Sequence, residues 1–218
     1  MQNLRQSTVR PRILLADDHS MMSECLRSLL EDNGHDVVGV VSDGRALVAA
    51  AMELKPDVVI LDVGMPLMNG FDAALRLREL LPKTKIVFLT MKEDPNLAAA
   101  VLSLGPLGYV LKHSAASELF TAITAVLSGK PYVTPRLKPE NWAVRVARAQ
   151  LYSKDLTSRQ REVLQLLAEG RPMKEVGGIL NVSEKTVMFH KYHIMKSFNL
   201  KSNADLVLLA LKEKLISA

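Results

Sequence analysis

The 218-residue chain predicts two successive architectures, an α/β doubly wound five-stranded parallel sheet and then a smaller all-α unit. Three observations carry this. Over the first 128 residues, five short apolar runs alternate with longer amphipathic stretches, the pattern of a parallel sheet with helices on both faces. From Leu156 onward the apolar spacing is helical throughout. Charge also changes sign along the chain: residues 1–128 sum to −3, residues 129–150 to +4 and residues 151–218 to +4. A mildly acidic unit joined to a basic one suits a sensing part attached to a nucleic-acid binder.

The strands are predicted at Arg12 to Ala16, Val37 to Val41, Val58 to Asp62, Lys85 to Thr90 and Gly108 to Leu111. The helices between and after them fall at Ser20 to Asp32, Arg45 to Leu54, Phe71 to Leu81, Pro95 to Leu104 and Ala115 to Leu127. Val58 to Leu61 are consecutive apolar residues, as in a strand covered on both faces, and Pro66 and Gly70 turn the chain soon after. Residues 129–150 break the alternation with Pro131, Pro135, Pro139, the lone Trp142 and the basic Arg145 and Arg148, and they read as a linker. The expected domains are therefore 12–128, a linker at 129–152, and 153–218.

In the basic unit Thr157 precedes Gln160 by three residues, a capping box, and Val163, Leu164, Leu166 and Leu167 form a stripe that ends at Gly170. A short helix begins near Pro172. Asn181-Val-Ser183 then turns the chain, with Ser183 as N-cap of a helix reaching about Ser197. A last helix, Ala204 to Leu215, is strongly apolar. Two short helices joined by a three-residue turn outline a helix-turn-helix.

The single cysteine, Cys25, excludes a disulfide framework within the chain and reads as a small buried core residue. Met1 to Arg12 has no apolar core of signal-peptide type. The longest uncharged run, Pro95 to Leu111, is interrupted by Gly105-Pro106 and Gly108, so no membrane span is read there. A soluble, reducing, cytoplasmic setting is the expectation.

Two strands end in acids. Ile13 to Ala16 stops at Asp17-Asp18, and Val58 to Leu61 stops at Asp62. Ligands of open parallel sheets bind outside the carboxyl ends of the strands, so these carboxylates predict one site. Three carboxylates at close range need a cation; Mg²⁺, with its hard oxygen ligands, fits best. An aspartate oxygen there can attack a phosphoryl group. Thr90 and Lys112 end the later strands, where a hydroxyl and an ammonium could contact phosphoryl oxygens.

On these residues, 12–128 resembles the receiver domain of two-component response regulators, a flavodoxin-like fold: the acidic pair Asp17-Asp18, the run Asp62-Val-Gly-Met-Pro66, Thr90, the aromatic Tyr109 and Lys112 stand in order at strand ends. The resemblance implies that Asp62 accepts the phosphoryl group from a partner histidine kinase, and that Thr90, Tyr109 and Lys112 are the switch and phosphoryl-contacting residues. It also implies that Asp17, Asp18, Asp62 and the backbone carbonyl of Gly64 hold Mg²⁺. Phosphorylation is expected to draw in Thr90 and reorient Tyr109. Two departures are His113, where many receivers have proline, and Pro106, where alanine is common. A phosphatase of the haloacid-dehalogenase type would need a second acid two residues after the nucleophile, where this chain has Gly64; no enzyme activity beyond phosphoacceptance is expected.

Residues 156–216 resemble the LuxR-type helix-turn-helix of the NarL/FixJ response regulators, through Leu156 to Leu164, Leu167-Ala-Glu-Gly170, Lys174-Glu-Val176, and Val182-Ser183 through Thr186-Val187 to His190 and Ile194. With Val187 set inward, the third helix turns Ile194 and Phe198 to its own side and Lys185, Phe189, Tyr192 and Lys196 to the opposite face, with Met188 at the edge. That face is expected in the major groove of double-stranded promoter DNA, with Lys185, Thr186, Met188, Phe189, Lys191, Tyr192 and Lys196 as contacts and a homodimer as the phosphorylated form. Met188 and Ser197 stand where lysine is usual, and Gly177 and Gly178 replace good helix formers. The alternative is a signalling protein whose helical domain acts through protein contacts.

Overall fold

Alternation along each strand divides the core of the first domain between the two faces of one sheet. Leu14, Ala16, Val59, Leu61, Ile86, Phe88, Tyr109 and Leu111 pack on one side; Ile13, Leu15, Val58, Ile60, Val87, Leu89 and Val110 pack on the other. Apolar surface must be covered on both faces, which is why this sheet has helices on each. The computed structural model describes residues 10–91, 93–105, 107–114, 116–137 and 156–216.

The strands are β1 (Arg12–Ala16), β2 (Asp36–Val41), β3 (Val58–Leu61), β4 (Lys85–Thr90) and β5 (Gly108–Leu111). The helices that follow them are α1 (Ser20–Asp32), α2 (Gly44–Leu54), α3 (Gly70–Leu80), α4 (Pro95–Ser103) and α5 (Ala116–Leu127). Leu26 and Leu30 of α1 and Leu119, Ile123 and Val126 of α5 cover one face; α2, α3 and α4 cover the other. The strand order is β2-β1-β3-β4-β5 with a short sixth strand, β6 (Tyr132–Val133), beside β5, all parallel, so the winding reverses between β1 and β3. A crevice at the carboxyl ends of β1 and β3 follows from that reversal.

The sixth strand is a departure from the five expected. β6 (Tyr132–Val133) lies in the segment read as linker, where it pairs with β5 and is followed by a 3-10 turn, Pro135–Leu137. Its backbone takes the free edge of β5: Tyr132 N–H donates to Leu107 and Thr134 N–H to Tyr109, while Leu111 N–H donates to the buried Thr134 hydroxyl. Two prolines flank a strand too short for a periodic signal, so composition alone read as coil. Trp142, Arg145, Arg148 and Pro106 lie outside the described residues.

Cys25 is a correction: it is exposed. The buried positions of α1 are Ser23, Leu26 and Leu30, and a residue one place before Leu26 points about 100° away from that face.

The all-α unit holds α6 (Ser158–Ala168), α7 (Met173–Leu180), α8 (Glu184–Ser197) and α9 (Asn203–Lys212). Thr157 and Gln160 form the capping box that starts α6, and the Ser183 hydroxyl accepts from Thr186 N–H at the start of α8. Between α7 and α8 the chain turns through Asn181 at φ 53°. Gly177 is required there, because a Cβ would lie 2.8 Å from the Val182 carbonyl; at Gly178 nothing lies within 4 Å. Val163, Leu164, Leu166, Val176, Val187 and Ile194 form the core.

The two domains meet through polar contacts that centre on a buried acid. Glu162 of α6, 2% exposed, is paired with Arg76 of α3, with Arg159 at 2.7 Å and, at 4.0 Å, with Arg45 of α2. Arg161 bonds Asp72 at 2.7 Å and lies over the Phe71 ring. Arg45 donates to the Ile179 carbonyl, and Lys214 pairs with Asp94.

Candidate functional site

Strand register builds the acid pocket. Ala16 of β1 stands opposite Leu61 of β3, so the next residues, Asp17 and Asp62, leave the sheet side by side. Asp62 N–H still donates to the Ala16 carbonyl and Asp17 N–H to Val41, which holds both backbones in strand geometry. Thr90 stands opposite Leu111 in the β4–β5 pair, and Lys112 N–H donates to the Thr90 carbonyl, which aims the lysine back across the sheet. Its ammonium lies 2.6 Å from Asp17 Oδ2 and 2.9 Å from Asp62 Oδ2.

All three of these groups are buried. Burial by itself lowers the lysine pKa, but hydrogen bonds to Asp17 and Asp62 and the charges of both carboxylates outweigh it, and the pKa is raised. Thr90 and Tyr109 are also buried, and the Tyr109 hydroxyl pKa is raised by burial and by the charge of Asp62. Any reorientation of Tyr109 therefore starts from a ring already inside.

Asp17, Asp18, Asp62 and His19 each offer a ligand atom, all within 4.8 Å of one another. One ammonium does not balance three carboxylates, so the donor set fits a hard cation. His19 was not among the residues singled out in the sequence. Its Nδ1 lies 3.1 Å from Asp17 Oδ1 and 3.0 Å from Asp18 Oδ1. Adjacency to the acidic pair was the signal available. For Gly64, the contact present is its N–H at 3.4 Å from Asp62 Oδ1.

The second surface is α8. Val187 and Ile194 are buried and Phe198 packs against the core, as the helical phase requires. Lys185, Met188, Phe189, Tyr192 and Lys196 are exposed; Thr186 and Lys191 are half-buried, and the Thr186 hydroxyl lies 2.9 Å from that of Ser183. Phe189 and Tyr192 flank His193, with ring centroids 4.3 and 5.9 Å away. Among the described residues, the interdomain hydrogen bonds and ion pairs come from α6, α7 and the end of the chain after α9.

Residues 13–124 match the response regulator receiver domain family, and residues 154–210 match the bacterial regulatory proteins of the luxR family. The chain belongs to the response regulators. The oxygen regulatory protein NreC of Staphylococcus aureus is 36% identical over 214 residues, spanning 94% of this chain and 99% of NreC. A structure of the RcsB response regulator of Salmonella typhimurium matches with TM-score 0.62 at 28% identity, covering 92% of this chain and 96% of RcsB. RcsB from Salmonella enterica serovar Typhimurium bound to promoter rprA in the presence of the phosphomimetic BeF₃⁻ matches with TM-score 0.59 at 28% identity, covering 91% and 97%. A receiver joined to a luxR-type domain makes this response regulator a DNA-binding transcription regulator controlled by phosphorylation. Among the described residues, no helix is long and apolar enough to cross a membrane.

Proposed function

We propose that Asp62 is the phosphoacceptor, that a histidine kinase is the donor and that α8 is the recognition helix. The observation that carries the reading is the convergence of Asp17, Asp62 and Lys112 at the β1–β3 crevice, with Asp18 beside them. A carboxylate oxygen of Asp62 attacks phosphorus and forms an acyl phosphate; the bond from phosphorus to the donor histidine breaks, and the imidazole leaves with a proton. Lys112 then pairs with the phosphoryl oxygens, while Thr90 and Tyr109 respond from β4 and β5. Mg²⁺, when bound by Asp17, Asp18, Asp62 and the Gly64 carbonyl, screens the negative charges that would otherwise repel each other on approach.

In the DNA-binding domain, Lys185 and Lys196 contact phosphates. Met188, Phe189 and Tyr192 present apolar and aromatic surface suited to thymine methyls. The dimer surface is α9, where Ala204 and Leu208 are exposed at helical spacing and Val207 and Leu211 are half-buried. Two half-sites about one helical turn of DNA apart follow from that symmetry.

The test is incubation with a small phosphodonor and Mg²⁺. One base-labile phosphoryl group per chain is expected, and Asp62→Asn should abolish it. Equal labelling of the variant would remove Asp62 from the assignment.

A further inference from the structure

The outward face of α8 divides its chemistry by position. From Lys185 to Lys196 the exposed side chains are Lys185, Met188, Phe189, Tyr192 and Lys196, at helical spacing on one side. The two ammonium groups stand at the ends, roughly 16 Å apart along the axis. Between them Met188, Phe189 and Tyr192 are 54 to 60% exposed. Bidentate readout of guanine or adenine takes arginine, lysine, asparagine or glutamine, and the exposed centre of this face holds none of these. Its one hydrogen-bonding group is the Tyr192 hydroxyl. What such a surface can distinguish in a major groove is apolar: the methyl group on C5 of thymine, or the same group at the same ring position of 5-methylcytosine.

His193 gives this centre its shape. It is half-buried, and its imidazole contacts both exposed aromatic rings, with centroids 4.3 Å from Phe189 and 5.9 Å from Tyr192. The Phe189 ring is tilted by 56° against it and the Tyr192 ring meets it at 85°, while His190 stands edge-on to Phe189 at 5.7 Å. Tilted and edge-to-face ring pairs attract beyond the area they bury. Rings already held in place lose less freedom when a ligand arrives.

We infer that α8 reads the C5 methyl group of pyrimidines, with Met188, Phe189 and Tyr192 as specificity-determining residues and His193 as the positioning residue that holds the two rings. The inference rests on α8 being the recognition helix. Removing the methyl leaves every hydrogen-bonding group of the base pair in place, so the loss is confined to apolar contact. Each methyl buried against this face should raise affinity about fourfold. Cytosine methylation then becomes visible to the protein: where thymine is preferred, 5-methylcytosine should be accepted over cytosine.

The probe is a duplex enriched by the full chain from a random pool and then remade at its thymine positions. Thymine is compared with deoxyuridine opposite adenine, and 5-methylcytosine with cytosine opposite guanine. Loss of the methyl in either pair should weaken binding about fourfold per contacted group, with the salt slope unchanged because the phosphates are the same. Deoxyuridine also alters the stiffness of DNA, so the ratios are measured in variants as well. Combining Met188→Ala, Phe189→Ala and Tyr192→Ala should bring both ratios to about one; these side chains are exposed and leave Val187 and Ile194 in the core. His193→Ala should lower the ratios and His193→Phe, which keeps a ring there, should restore them, whereas a purely structural role would weaken all duplexes alike. Ratios near one in the wild type, or ratios that persist in the triple variant, overturn methyl reading; a salt slope still lowered by Lys185→Ala leaves the recognition helix standing. A ratio for thymine alone overturns the extension to 5-methylcytosine. Failure to enrich any sequence, with a salt slope untouched by Lys185→Ala, overturns the recognition helix as well.

Discussion

The acid pocket and the recognition helix concentrate function in opposite ways. In the pocket, few groups of fixed chemistry are buried and tightly paired: the Lys112 ammonium lies 2.6 Å from Asp17 and 2.9 Å from Asp62, and the three leave an excess of negative charge. On α8 many groups of unremarkable chemistry stand exposed, with Phe189 57%, Tyr192 60% and Met188 54% accessible. A reaction needs specific atoms in specific places, whereas a binding face spreads its free energy over area and charge. Substitutions in the pocket should therefore act in an all-or-none manner, and those on the helix by degrees.

The largest expected effect is at Asp18. It is more exposed than Asp17 and Asp62 and contacts His19, so Asp18→Ala removes a hard ligand without opening the core. Loss of Mg²⁺-dependent phosphorylation with an unchanged far-ultraviolet circular dichroism spectrum is the expected outcome. Wild-type phosphorylation of that variant would move the site and break the contrast drawn above.

Next is the charged seam between the domains, which belongs to neither class. Glu162 is buried, but its arginine partners remain 28% to 43% exposed, so their interaction is partly screened by water. Glu162→Ala leaves Arg45, Arg76 and Arg159 facing one another and should cost about 2 kcal/mol, below the usual loss for a fully buried pair. A lower urea midpoint for the full chain checks this. A change within error would mean that the seam contributes no net stability.

On α8 the expected changes are smaller and separable. Lys185→Ala or Lys196→Ala should reduce the slope of log affinity against log salt by about 0.9 and weaken specific and random duplexes alike. Tyr192→Ala should instead narrow the gap between good and poor sites with little change in slope. If the lysine variants altered sequence preference and Tyr192→Ala altered only the slope, the roles assigned to phosphate and base contacts would be reversed.

These contrasts also govern what the sequence could reveal. The pocket is legible because acids at strand ends are unusual and their register follows from runs such as Val58 to Leu61. The outward face of α8 is legible because helical phase alone places Val187 and Ile194 inside. The interdomain seam is not. Glu162 and Gln165 follow a polar spacing on α6 that looks the same whether water or another domain covers it, and only the fold brings Arg76 and Asn69 to them. Gly177 misled for a related reason: helix propensity counts its cost, while the close Val182 carbonyl that demands it belongs to the next turn.

The smallest expected effects concern pH, and the two sites should lose stability at opposite ends of the scale. Lys112 has a raised pKa in the fold because bonding to Asp17 and Asp62 outweighs its burial. Its contribution is then present in full below the ordinary lysine value of about 10.4 and is lost as pH rises through the folded value. His190 on α8 has a lowered pKa, first through burial and then through the charges of Arg159 and His193. The folded state therefore favours the neutral ring, and stability present above about pH 6.5 is lost as pH falls toward the folded value. His35 in the receiver, also lowered by burial, adds to the same acid limb. Urea midpoints measured across the pH range should show both limbs. His190→Gln should flatten the acid limb in part, leaving the share of His35, and should not touch the alkaline one; Lys112→Met should flatten the alkaline limb down to the share of the Tyr109 and Tyr132 hydroxyls, whose pKa values are also raised. An acid limb unchanged by His190→Gln would assign that loss to the receiver alone and remove the recognition helix from the acid response.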